Sequence, residues 1–221
     1  MIASPNFDDR LSSTSIDMLV IHYTGMISAK AALDRLCDPQ AKVSAHYFID
    51  EDGDVISLVD ESKRAWHAGI ASWRGMSDIN TRSIGVELVN PGHDLGYRDF
   101  PKPQMGALID LLIGILSRYS IPARNVVGHS DIAPCRKIDP GERFDWAGLA
   151  EKGIGLWPNE ANINDNFSNI TPMLSEYGYD ISSPPHAIAA FQRHFHPETI
   201  NKNIDYETIG RLKRLLDLSY A

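Results

Sequence analysis

Residues 126–141 read VVGHSDIAPCRKIDPG. Val126 and Val127 start a buried-strand pattern that breaks at Gly128. The chain then offers His129, Asp131, Cys135, Lys137 and Asp139 on a segment punctuated by Pro134 and Pro140. Proline removes a backbone donor and disfavours the helical conformation before it, so the segment is expected to be a non-helical loop leaving a strand end. Loops held by a rigid scaffold are where chemistry concentrates. His129 and Asp139 stand ten positions apart and could fold back onto one ion. The same residues also suit a surface loop with a capping aspartate and an ordinary histidine, and this stretch alone does not separate the two readings.

Outward from it, the chain alternates strand and helix patterns. The near-continuous apolar run from Asp17 to His22 predicts a buried strand ending at a second histidine. Ser28 is placed to cap a helix over Ala29–Cys37. Asp52-Gly53, between apolar runs at 45–49 and 55–59, predicts a hairpin. Arg64–Gly69 reads as a loop containing Trp66 and His67, and Trp73–Thr81 shows no clear period. Ser83–Val89 is a strand pattern with one carboxylate, Glu87, inside an apolar run, which is unusual because unpaired buried charge is costly. Met105, Leu108, Ile109, Leu112, Ile115 and Leu116 recur at helical spacing over 104–119. Residues 1–15 read as an extended lead-in. The order predicts an α/β protein with a mixed central sheet flanked by helices. After a polar connector at 157–165, three helical patterns (167–177, 185–194 and 206–216) predict a small C-terminal three-helix domain, dividing the chain into 1–157 and 160–221.

The chain has 221 residues, 43% hydrophobic and 23% charged, with 21 basic against 29 acidic side chains and a net charge of −8. That is an ordinary globular composition, and without a basic run a nucleic-acid partner has no support. Two cysteines, Cys37 and Cys135, make no disulfide framework. No window reaches the length of a membrane span. The first twenty residues lack a signal-peptide pattern, so a cytoplasmic location is expected, or the periplasm or cell envelope if a leader has been removed.

His22, His129 and Asp139 supply two imidazoles and a carboxylate, a donor set that suits a catalytic Zn2+ with one position left for water. Glu87 is the candidate to shuttle a proton and Lys137 to face a developing oxyanion. Each has a plainer reading. His22 could be a satisfied strand-end histidine, Glu87 an ion-pair partner of Arg82 or Arg64, Lys137 a solvated lysine and Asp131 a turn residue. His46 reads as packed rather than ligating. His186, His194 and His196 lack a ligand-like context.

IHYTG at 21–25, SAHYFID at 44–50, AWHAG at 65–69, SIGVELVN at 83–90 and VGHSDIAPCRKIDPG at 127–141 resemble the N-acetylmuramoyl-L-alanine amidases of the type 2 amidase family, to which peptidoglycan recognition proteins are related. The resemblance spans about residues 15 to 150. It implies a zinc hydrolase that cuts the amide between the lactyl group of N-acetylmuramic acid and L-alanine in peptidoglycan or muropeptides. By motif, the zinc ligands fall on His22, His129 and Asp139, the catalytic glutamate on Glu87 and the catalytic lysine on Lys137. Some members use a tyrosine on the strand that here reads VSAHYF; the matching position is Ala45, which leaves that work to Glu87. His67 and Trp66 match a segment lining the substrate groove, and Arg74 and Asn90 are further candidates for substrate contact.

AIAAFQRHF at 187–195 and IDYETIGRLKRLL at 204–216 are similar to a small helical peptidoglycan-binding domain, although Asn203 and Ile204 stand where that domain commonly has glycine before the aspartate. Two rival readings make different predictions. A non-catalytic wall-binding module would lack a complete ligand set. A Cys135–His129 thiol hydrolase would be indifferent to chelators.

Overall fold

The computed structural model describes residues 3–11, 14–159 and 170–220. In chain order the elements are β1 (Phe7–Asp9), β2 (Met18–Tyr23), α1 (Ala29–Cys37), β3 (Tyr47–Ile49), β4 (Val55–Ser57), β5 (Lys63–Ala65), α2 (Ile79–Arg82), β6 (Ser83–Leu88), α3 (Lys102–Arg118), β7 (Val126–Gly128), α4 (His129–Ile132), α5 (Trp146–Glu151), α6 (Ile170–Tyr177), α7 (Pro184–Phe195) and α8 (Tyr206–Tyr220). Five strands form one mixed sheet in the order β4-β3-β6-β2-β7. Within it β3, β6, β2 and β7 run parallel, and the β3–β4 hairpin is antiparallel. Its turn carries Gly53 at φ +96°, a conformation that favours glycine.

β2 and β6 are covered on both faces, which is why their sequences read as almost unbroken apolar runs. On one face Leu19 pairs with Ile84 and Ile21 with Val86, above α3 and α5 through Leu108, Leu112, Ile115, Trp146 and Leu149. The opposite face carries Met18, Val20 and His22 of β2 beside their register partners Ser83, Gly85 and Glu87 of β6. The polar residues thus form one stripe, and the strand alternation explains how Glu87 sits in an apolar sequence without entering the apolar core. Towards the strand starts, Met18, Val20 and Val127 on this face join one apolar cluster with Leu174, Phe191, Phe195 and Leu212 of α6, α7 and α8. Towards the strand ends it opens to solvent.

The sheet flanked by helices and the three C-terminal helices follow the sequence reading. α1 is capped by Ser28, whose Oγ accepts the Ala31 N–H at 3.2 Å. The Asp205 carboxylate likewise accepts the Thr208 N–H at 2.7 Å. Four local expectations are corrected. Within the extended lead-in, β1 pairs antiparallel with β5, which places a strand at the start of the expected loop Arg64–Gly69. α2 is one turn within the stretch that showed no period. β3 starts at Tyr47 rather than residue 45. Finally, residues 129–132 form a helical turn inside the segment expected to be non-helical. Pro134 and Pro140 lie beyond that turn, and the Asp131 carboxylate accepts the Gly128 N–H at 2.7 Å, fixing its start. The connector from residue 160 onward and the first residues of the 167–177 pattern lie outside the described residues. No helix among the described residues is long and apolar enough to cross a membrane.

Candidate metal centre

Because β6, β2 and β7 are parallel neighbours, their carboxyl ends share one edge, the usual place for a site in such sheets. His22 lies near the end of β2, Glu87 near the end of β6, and His129 directly follows β7. Asp139 returns to them along the loop, which the Ser130 N–H to Asp139 carbonyl bond at 2.9 Å ties back to the α4 turn. The three ligand atoms make a near-equilateral triangle. His22 Nδ1 to His129 Nδ1 is 2.9 Å, and each lies 3.1 Å from Asp139 Oδ2.

The surrounding hydrogen bonds decide which ring nitrogens carry hydrogen. His129 Nε2 faces the Ala68 carbonyl at 3.0 Å. A carbonyl only accepts, so Nε2 holds the hydrogen and the neutral ring has a bare Nδ1. For His22 the assignment passes through two groups. The Ser83 hydroxyl donates to the Ile79 carbonyl at 2.7 Å, so it accepts from His67 Nε2–H at 3.1 Å. His67 Nδ1 is then bare and accepts from His22 Nε2–H at 3.0 Å. His22 Nδ1 is therefore also a lone pair. Three acceptor atoms, one on a carboxylate, point at one another with no hydrogen between them, an arrangement that only a cation relieves. Their separations approach the roughly 3.3 Å edge of a tetrahedron built on metal bonds of 2.0–2.1 Å. The donor set fits a divalent metal, and orientation of each ligating ring through its second nitrogen is the usual support for one.

Burial and the neighbouring His129 push the His22 pKa down to about 4, with Asp139 pulling the other way. His67 is driven well below its ordinary range by burial, and then by His22 and His46. Burial opposes ionisation of Asp139; His129 and then His22, when they carry a proton toward it, outweigh burial and lower its pKa. Glu87 goes the opposite way. Burial and then the Asp139 charge raise its pKa well above the usual value, with Lys137 a smaller counterweight. Its Oε2 is buried without a hydrogen-bond partner. Neither arginine considered for it is available: Arg82 pairs with Asp17, and Arg64 with Asp8 and Asp78.

These groups line one cleft of about 480 Å³, walled by Thr24, Met26, Trp66 and Arg136 among others. The family described as N-acetylmuramoyl-L-alanine amidase matches residues 12–142. The chain belongs to that family. The amidase AmiD of Escherichia coli (strain K12) is 38% identical over 231 residues, covering 91% of this chain and 83% of AmiD. The structure of E. coli AmiD with the substrate anhydro-N-acetylmuramic acid-L-Ala-D-gamma-Glu-L-Lys superposes with a TM-score of 0.83 at 34% identity, covering 96% of this chain and 98% of that one. AmpDh3 from Pseudomonas aeruginosa, in complex with anhydromuramic pentapeptide, gives a TM-score of 0.84 at 31% identity and covers 99% and 98%.

In this amidase His22, His129 and Asp139 come together, with Glu87 and Lys137 lining the same cleft. Trp66 and His67 line it too, but both ring nitrogens of His67 are already engaged behind His22. The expected substrate contacts at Arg74 and Asn90 are not brought there. Asn90 is buried and braces its own loop through the Arg98 carbonyl and the Gly92 N–H. Arg74 is exposed, and its backbone N–H bonds to the Gly178 carbonyl. Cys135 is exposed and is not among the cleft residues, while His129 turns Nδ1 toward His22 and Asp139 and Nε2 toward the Ala68 carbonyl, so the thiol reading has no geometry. Sequence reasoning missed Arg35, Asp94 and Arg136 in the cleft wall, because nothing in their local pattern marks them. It also missed the part played by Ser83, whose signal was a polar residue on the same strand face as Glu87.

Proposed function

We propose that this amidase hydrolyses the bond between the lactyl carbonyl of N-acetylmuramic acid and L-alanine in muropeptides, with zinc held by His22, His129 and Asp139. The observation that supports it most is the pairing, in one cleft, of three hydrogen-free ligand atoms with an unpartnered carboxyl on the adjacent strand. Zinc in such a site supplies a Lewis acid that makes water nucleophilic near neutral pH and polarises a carbonyl. Glu87 acts as the base that takes a proton as water adds to the carbonyl carbon. It then returns the proton to the L-alanine nitrogen as the C–N bond breaks. Lys137 faces the oxygen that gains charge. The substrate carried by AmiD in its complex supports an anhydro-muropeptide as the fragment to try first.

The test is incubation of the zinc-loaded protein with a soluble anhydro-muropeptide and with intact sacculi, in parallel with Glu87→Gln. The wild type should release peptide beginning at L-alanine. Glu87→Gln should keep its zinc and lose about 10²- to 10⁴-fold in turnover. A metal-loaded wild type that binds muropeptide and leaves it whole would make the protein a wall-binding module instead.

A further inference from the structure

Asp131 lies two residues past His129, is 1% exposed and makes no contact with the metal centre's ligand atoms. Its carboxylate has three donors. Gly128 N–H donates to Oδ2 at 2.7 Å and so closes the turn that begins with His129. The other two donors come from the C-terminal region, across 48 and 63 residues of sequence: the Tyr179 hydroxyl to Oδ1 at 2.7 Å and His194 Nδ1–H to Oδ2 at 2.7 Å. Both donors are themselves fixed. The His194 ring stacks on Trp146 at 3.8 Å between centroids and an angle of 20°. The Tyr179 ring meets Trp73 and Phe191 edge-on at 5.2 and 6.1 Å. The chain that presents a metal-binding histidine is thus held by a buried carboxylate, and two of that carboxylate's three donors belong to the segment after the connector.

We propose that the C-terminal helical region is a positioning element of the metal centre: Tyr179 and His194 grip Asp131 and through it set where His129 stands. Neither residue lines the cleft. A region similar to a wall-binding domain would then have a second task inside this molecule, whether or not it holds glycan. A buried carboxylate left short of donors turns or draws in water. Gly128 and the His129 backbone would follow it, since they share the turn. The inference rests on the metal-centre reading above.

The experiment uses the full chain and measures zinc affinity by competition with a chelating dye, together with the visible spectrum of the cobalt(II)-loaded protein, which reports ligand geometry. The variants are Tyr179→Phe, His194→Phe, which keeps a flat ring for stacking, and His194→Asn, which restores a donor near the Nδ1 position. Tyr179→Phe and His194→Phe should each bind zinc about tenfold more weakly and shift the cobalt bands, the low end of what orienting groups contribute. His194→Asn should recover most of both. Folded variants with wild-type zinc affinity and an unchanged cobalt spectrum would overturn the inference alone. A wild type that bound neither metal would overturn the metal-centre reading and this inference with it.

Discussion

Replacing His67 by phenylalanine tests the hydrogen-bond chain that leaves the His22 Nδ1 bare. The substitution keeps a flat ring where it packs over Gly85, at which an added Cβ would meet the His67 ring at 2.5 Å. It removes the acceptor, at 3.0 Å, for His22 Nε2–H. Two outcomes are open to the buried His22. It can keep its tautomer with an unsatisfied N–H, costing about 1–3 kcal/mol. Alternatively it can move the hydrogen to Nδ1 and lose the lone pair that faces the metal. Metal binding bears the smaller of the two costs, so zinc affinity should fall by about 10- to 100-fold, or roughly 1.4–2.7 kcal/mol. Competition against a chelating dye measures this directly. His67→Asn, which returns an acceptor near the Nδ1 position, should recover part of the loss. Ser83→Ala, which frees His67 to choose its own tautomer, should fall between. Gly85→Ala should imitate His67→Phe by pushing the ring away. If His67→Phe folds and binds zinc as tightly as the wild type, the tautomer assignment is wrong.

Other consequences follow from the same geometry. Asp139→Ala should abolish zinc retention, read by elemental analysis, because it removes the only charged corner of the ligand triangle. A chelator should stop turnover of the wild type and added zinc should restore it; activity that survives full metal removal would sink the metal-dependent mechanism. Lys137→Met should retain zinc and lower kcat by about 10²- to 10³-fold, with steady-state kinetics on a muropeptide as the check. His46 gives a pH signature in the metal-free protein. Burial and then the Arg10 charge lower its pKa from 6.5 to about 4. The unfolded chain therefore takes up the proton first, and the stability that neutral His46 contributes is whole above pH 6.5 and lost as pH falls toward 4. A pKa lowered to about 4 corresponds to about 3 kcal/mol. Denaturation at several pH values, compared with His46→Gln, should show the wild type losing the larger share on acidification; parallel losses would contradict the assignment.

Much of the fold is legible because it is local. The apolar run of β2, the Asp52-Gly53 turn, the Ser28 cap and the helical period of α3 each lie within a few residues of the atoms they organise. The errors fall where a distant partner overrides a weak local signal. β1 reads as a polar lead-in because all three of its residues are exposed, and it is a strand only because β5 pairs with it. The prolines near α4 disfavour a helix in the sequence, yet neither lies within the turn and Asp131 caps it. Asn90 sits in a family motif and serves its own loop, a use that no spacing shows.

The amino-acid order by itself determined the strands of the central sheet and the main helices, and it pointed to His22, Glu87, His129, Lys137 and Asp139 as the candidates for hydrolytic chemistry. Tertiary structure alone decided that His22 and His129, 107 residues apart, stand 2.9 Å from each other, that Glu87 is left without an ion pair, and that the C-terminal helices reach Asp131. The reason is physical. Periodicity and capping are short-range effects carried by neighbours in the chain. The lateral order of parallel strands, and the choice of which imidazole nitrogen holds a hydrogen, depend on groups that meet only after the chain has folded.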